Sequence, residues 1–109
     1  MSDARTERIK MLRQYLEEDE NDHFSRYALA LECMEDDPSN ASALFQDLLR
    51  RNPSFLAAYY QQGKAFERLG RQAEAMAAYH AGISVARQQK NLKTEQELNA
   101  AAQLLDEDE

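Results

Sequence analysis

The feature that most restricts this chain is a repeat of 33–34 residues. Leu29-Ala30, then Ala41, Phe45, Leu48-Leu49 and Pro53, line up with Gln62-Gly63, then Ala75, Tyr79, Gly82-Ile83 and Arg87. The step is 33 at the first pair (29 to 62) and 34 from Ala41 to Ala75 onward, so one loop residue is missing from the first copy. A weaker echo lies upstream, where Leu12, Tyr15 and Leu16 precede Phe45, Leu48 and Leu49 by 33 each and Glu20 stands in the place of Pro53. A step of this size belongs to solenoids of helix pairs, in which one pair cannot cover its own apolar face and neighbours stack to share an interior. Small residues at Ala30, Ala41, Gly63, Ala75 and Gly82 permit close approach of helices, and Phe45, Phe66 and Tyr79 fill the gaps beside them. Gly63 and Ala75 are then expected at a tight helix contact.

Composition agrees with helices. Three Gly and two Pro in 109 residues are too few for the many turns of a β-sandwich, and Ala, Leu, Glu, Gln, Arg and Lys dominate. Hydrophobic residues at 43% and charged residues at 30% are an ordinary globular balance for one modest core. The net charge is −7, but Asp106-Glu107-Asp108-Glu109 supplies four of the acids, so residues 1–105 carry only −3. That sign repels phosphate backbones, which disfavours nucleic acid as a partner. No run approaches membrane-spanning length, and the first eight residues lack the apolar core of a signal peptide. One cysteine, Cys33, cannot form an internal disulfide. A cytoplasmic, reducing setting is the expectation.

Helix boundaries follow from caps and breakers. The first helix is expected over Asp3 to Glu18, capped by Ser2, with Ile9, Leu12 and Leu16 on one face. Its end at Glu17-Glu18-Asp19-Glu20 opposes the helix dipole. Asp22 opens a second helix to about Glu35, and Asp37-Pro38 opens a third to about Arg51. After Asn52-Pro53-Ser54 a fourth runs to Leu69, stopped by Gly70, and a fifth spans about Gln72 to Gln89. Thr94-Glu95-Gln96-Glu97 reads as a capping box for a last helix over Leu98 to Leu105, with a start as early as Asn91 left open. The expected division is a half-repeat helix (3–19), two repeats (22–52 and 54–90), a capping helix (92–105) and a disordered acidic tail (106–109).

The stretch Tyr59-x-x-Gln62-Gly63-x-x-Phe66, then Ala75-x-x-x-Tyr79-x-x-Gly82, with Pro53 between the copies, resembles the tetratricopeptide repeat. Ankyrin units of the same length should show a Thr-Pro-Leu-His element, which is absent. The resemblance covers roughly residues 9 to 90 and is sharpest in the second copy. Departures are Tyr59 for the usual Trp, Gln62 for Leu and Gly82 for Ala, while Arg26 and Cys33 occupy two aromatic positions of the first copy. The resemblance implies an all-α superhelix of stacked antiparallel helix pairs, about six helices, serving as a protein-interaction module. By the same resemblance the first helix of each pair lines a concave face. That assigns Phe24, Tyr27 and Leu31 from the first unit, and Ala57, Tyr60, Lys64 and Arg68 from the second. Such a row suits an apolar peptide carrying some acid. The sequence equally allows Phe24, Tyr27 and Tyr60 to be covered by the N-terminal and capping helices. Family members that clamp a chaperone's C-terminal carboxylate use paired Lys, Asn and Arg. Here Tyr27, Leu31 and Tyr60 fill several of those positions and only Lys64 has the charge, which disfavours chaperone tails.

Nothing in the sequence assembles an enzyme, a metal site or a cofactor site. His23 and His80 lack metal-ligand spacing and read as surface residues. Cys33 falls at a core position equivalent to Phe66, so packing is favoured over nucleophilic use. The acids Glu17 to Asp22 lack the central Gly and spacing of a calcium loop. Gly63, Gly70 and Gly82 are too scattered for a phosphate loop. The partner is therefore expected to be a protein or peptide. The chain itself is expected to be a monomer or a weak homodimer, with Ile9, Met11 and Leu12 of the half-repeat completing a second copy.

Overall fold

A computed structural model describes residues 3–107, and among them there are six helices and no strand. They are α1 (Asp3–Glu18), α2 (His23–Cys33), α3 (Pro38–Arg51), α4 (Ala57–Arg68), α5 (Gln72–Gln88) and α6 (Leu92–Glu107). Each helix packs chiefly on the next in sequence, and the short connections make neighbours antiparallel.

The caps set the bounds. Asp22 accepts the Ser25 backbone N–H at 3.0 Å, and Asp37 accepts that of Asn40 at 3.1 Å with Pro38 opening α3. Gly70, at φ +73°, reverses the chain after α4, and the Arg71 N–H donates to the Phe66 carbonyl at 2.8 Å. After α5 the same left-handed turn is made by Lys90 at φ 57°, with the Asn91 N–H on the Ala86 carbonyl at 2.9 Å. The expected capping box at Thr94 to Glu97 does not form. Asn91 caps α6 instead, its Oδ1 accepting the Thr94 N–H at 3.0 Å, so the helix starts two turns before Leu98. Asp106 and Glu107 belong to α6 rather than to a disordered tail; Asp108, Glu109 and the Ser2 cap lie outside the described residues.

Two interior clusters form. The first gathers Leu29, Ala30, Cys33, Ala41, Phe45 and Leu48 with Ala58 and Ala65 of α4. The second gathers Ala75, Tyr79, Ile83, Leu98 and Leu105, with Leu56, Tyr60 and Phe66 packed against it. Both rest on α4, whose Ala58 and Ala65 serve one cluster while Tyr60 and Phe66 serve the other. The partner of Gly63 is Tyr79, one turn beyond Ala75. A Cβ on Gly63 would stand 2.6 Å from Tyr79 Cδ1 and closer still to Cε1 and Cζ. A Cβ on Gly82 would likewise meet Tyr59 Cβ at 2.6 Å and Leu98 Cδ1 at 3.0 Å. Two contacts of this kind bring α4, α5 and α6 together at backbone distance.

The α1 helix is attached more lightly, with no fully buried residue. Ile9 and Leu12, expected to complete a second copy, instead pack with Leu16 inside their own chain. Arg5 reaches Glu32 at 3.3 Å and Asp36 at 2.8 Å, and Arg8 adds a second cation to Glu32, whose carboxyl is held below the usual range by that bond. The acid-rich turn after α1 is held by cations the sequence did not point to. Arg26, 7% exposed, pairs with Asp47 of α3 at 3.1 Å and donates to the Glu20 carbonyl, while Arg51 stands 3.9 Å from the Glu20 carboxylate. An arginine can thus occupy an aromatic position because its charge is paired and its stem fills the space.

Candidate functional site: the face shared by α2, α4 and α6

Residues four or three apart along a helix share a face. On α2 that rule aligns Phe24, Tyr27 and Leu31, and on α4 it aligns Ala57, Tyr60, Lys64 and Arg68. The structure brings these two rows together. Arg68 reaches Glu35, just past the end of α2, at 3.7 Å, and the Tyr27 side chain hydrogen-bonds that of Gln61 on α4.

The rows differ in what covers them. Phe24 is 80% exposed and meets solvent with most of its ring, its edge resting on Phe55 at 5.7 Å between centroids. Tyr27 is half-buried, packed between Phe45 at 5.9 Å and Phe55 at 5.2 Å, and burial pushes its hydroxyl up from the ordinary tyrosine value. Neither ring is covered by α1. Leu31 remains exposed, but it borders a depression of about 450 Å³ with Arg5, Glu32, Glu35 and Asp36, so its surroundings are acidic. Ala57 is exposed at the start of α4.

Tyr60 is half-buried, leaning on Tyr79 at 6.1 Å, with the Lys64 ammonium 5.4 Å from its ring centre. Lys64 also stands 3.6 Å from Glu67, which accepts the Tyr79 hydroxyl. Burial and that carboxylate drive the Tyr79 hydroxyl far above its ordinary range. Beside them α6 contributes residues that the sequence reasoning missed. Glu97, Ala100, Ala101 and Leu104 join Tyr60 and Lys64 around a depression of about 440 Å³, and Leu104 is 64% exposed. A register extended through α6 from Asn91 would have found them. Phe55 was missed because it sits in the α3–α4 connection, where helical spacing gives no signal.

The face therefore offers two apolar seats, Phe24 with Phe55 and Leu104 with Tyr60. Lys64 and Arg68, partly exposed, lie between acids at Glu35 and Glu97. It can hold side chains and pair a carboxylate. Among the described residues no three His, Cys, Asp or Glu side chains gather to hold a metal ion. Cys33 is buried with the Asn40 amide donating to its Sγ at 3.4 Å. His80 is exposed, whereas His23 is half-buried rather than on the surface. No described helix is long and apolar enough to cross a membrane.

No family model and no curated protein sequence matches the chain. Solved structures do. A solution structure of a tetratricopeptide repeat domain protein from Salinibacter ruber is 41% identical, covering 77% of this chain and 86% of that one, with a TM-score of 0.73. A crystal structure of the tetratricopeptide repeat domain protein from the same organism is 40% identical, covering 81% of this chain and all of that one, with a TM-score of 0.75. Protein BPP2914 from Bordetella parapertussis shares the fold at 20% identity and a TM-score of 0.81, over 92% of this chain and 88% of that one.

Proposed function

This chain belongs to the tetratricopeptide-repeat family, whose fold serves as a protein-interaction module, and we propose that its α2–α4–α6 face holds an apolar peptide segment carrying at least one acid. The observation that carries the reading is the exposure of Phe24, Leu31 and Leu104 on one face, at 80, 39 and 64%. Large apolar side chains are kept in water at a cost, and a cluster on one concave face is the usual mark of a docking surface. Lys64 and Arg68 supply the charge selection. Their present partners are surface carboxylates worth about 1 kcal/mol or less each, so a ligand carboxylate exchanges with them at little expense. The reading assigns the chain a binding role with no chemical step, no cofactor and a reducing compartment.

The test uses a panel of labelled peptides that vary in apolar and acidic content, titrated by fluorescence anisotropy. Apolar peptides with an acid should bind best. Phe24→Ser and Lys64→Glu, both at sites away from the interior, should weaken that binding about tenfold each with unchanged thermal unfolding. A panel in which no peptide binds, or in which both variants bind as the parent does, removes the reading.

A further inference from the structure

On the opposite side of the molecule, α3 and α5 are parted by an open cavity of about 550 Å³ with α4 as its floor. Its walls are small: Ser42 and Ala43 on one side, Ala77, Ala78 and Ala81 on the other. Small walls alone say little. The floor, however, carries Gln62, which is 5% exposed and stands where an apolar residue would be expected. Its amide N–H₂ donates to the Ser42 carbonyl at 3.2 Å, while its Oε1 is buried with no hydrogen-bond partner among the described residues. A buried acceptor without a donor is a standing cost, and one that lines a cavity marks where a donor fits.

The same molecule carries a matching projection. Met11 and Tyr15, 49 and 41% exposed, stand one turn apart on α1, on the side turned away from Ile9, Leu12 and Leu16. Tyrosine joins an apolar ring to a hydroxyl donor, which is the combination an apolar cavity with an orphan acceptor selects. Glu18, one turn beyond Tyr15, adds a carboxylate for Arg71 at the cavity's edge, whose present partner Glu74 is 3.9 Å away.

We propose that the cavity between α3 and α5 receives α1 of a second copy, with Met11 and Tyr15 inserted and the Tyr15 hydroxyl donating to Gln62 Oε1. Each copy carries both the projection and the cavity, so the contact closes about a two-fold axis. The dimer is weak, because it rests on two side chains per copy and on a helix that is itself lightly held. This inference does not rest on the peptide-binding reading, since it uses the other face.

Analytical ultracentrifugation from about 10 μM to 1 mM tests it. The parent should pass from monomer to dimer in that range. Tyr15→Ser and Ala81→Glu alter exposed positions, and each should weaken the dimer at least tenfold. Mixed together, the two variants keep one intact contact and should associate more than either does alone. Gln62→Leu removes the orphan acceptor, so it should weaken the dimer about tenfold while the monomer unfolds no more easily. A parent that stays monomeric at 1 mM overturns the proposal, as does a dimer that none of the three changes affects. A dimer broken only by Phe24→Ser would place association on the opposite face. Peptide binding by Ala81→Glu should match the parent, so failure of either reading is visible without the other.

Discussion

Gly63→Ala is the sharpest probe of how the helices meet. In an open helix the change should stabilise by about 1 kcal/mol, because alanine restricts the unfolded chain and favours helix. Here the added methyl falls on the Tyr79 ring, 2.6 Å from Cδ1 and nearer to Cε1 and Cζ. Tyr79 has no free space to retreat into, being fully buried with its hydroxyl bound to Glu67. Overpacking costs about 1–3 kcal/mol. Displacing the hydroxyl from a carboxylate costs about 1.5–3 kcal/mol more. Set against the helical gain, the net loss is about 2–4 kcal/mol. Urea unfolding followed by circular dichroism measures it, and a Tyr79→Ala background supplies the control. There the ring is gone and Gly63→Ala should turn neutral or stabilising. If the single change is harmless in the parent, or equally harmful without the ring, the contact does not have the geometry described.

Two further outcomes follow from named residues. Lys90 holds a left-handed turn at φ 57° that costs a side chain about 1 kcal/mol, so Lys90→Gly should raise the urea midpoint, and a lowered midpoint would contradict the strain argument. Asp22, Glu32 and Asp47 are all held below the usual carboxylate range. The Ser25 hydrogen bonds act on Asp22 and the Arg8 bond on Glu32. Burial opposes the shift at Asp47, but Arg50, Arg51 and Arg26 outweigh it. Groups depressed in the folded state add stability above their unfolded value of about 4 and lose it as pH falls through the folded values. The urea midpoint should hold from neutral pH to about 4 and drop below it; a flat profile down to about pH 2.5 would refute the pairing.

How much of this was legible in the sequence depended on the kind of signal. The repeat step was plain because close helix contacts demand small residues at fixed places, and Gly63 and Gly82 are where rings and methyls press hardest. Caps at Asp22 and Asp37 were local and legible. The capping box at Thr94 was misleading because Asn91, three residues earlier, competes for the same backbone donors and is followed by a leucine that extends the helix. Helical spacing correctly grouped Phe24 and Tyr27 on one face. It could not say that Phe24 stays in water while Tyr27 is half-covered, because the covering ring, Phe55, comes from a connection with no period. Arg26 was opaque for a related reason: its partner Asp47 lies on another helix, and pairing across helices leaves no mark along the chain.

Because α4 contributes to both interior clusters, neither half of the array owns a complete interior. A cut in the α3–α4 connection would leave one fragment without Ala58 and Ala65 and the other without an N-terminal neighbour for α4. The chain should therefore melt in a single step despite its modular look, with the repeats behaving as one thermodynamic unit. Lengthening such an array is safest by inserting a whole helix pair next to α4, which preserves a two-sided helix at every junction.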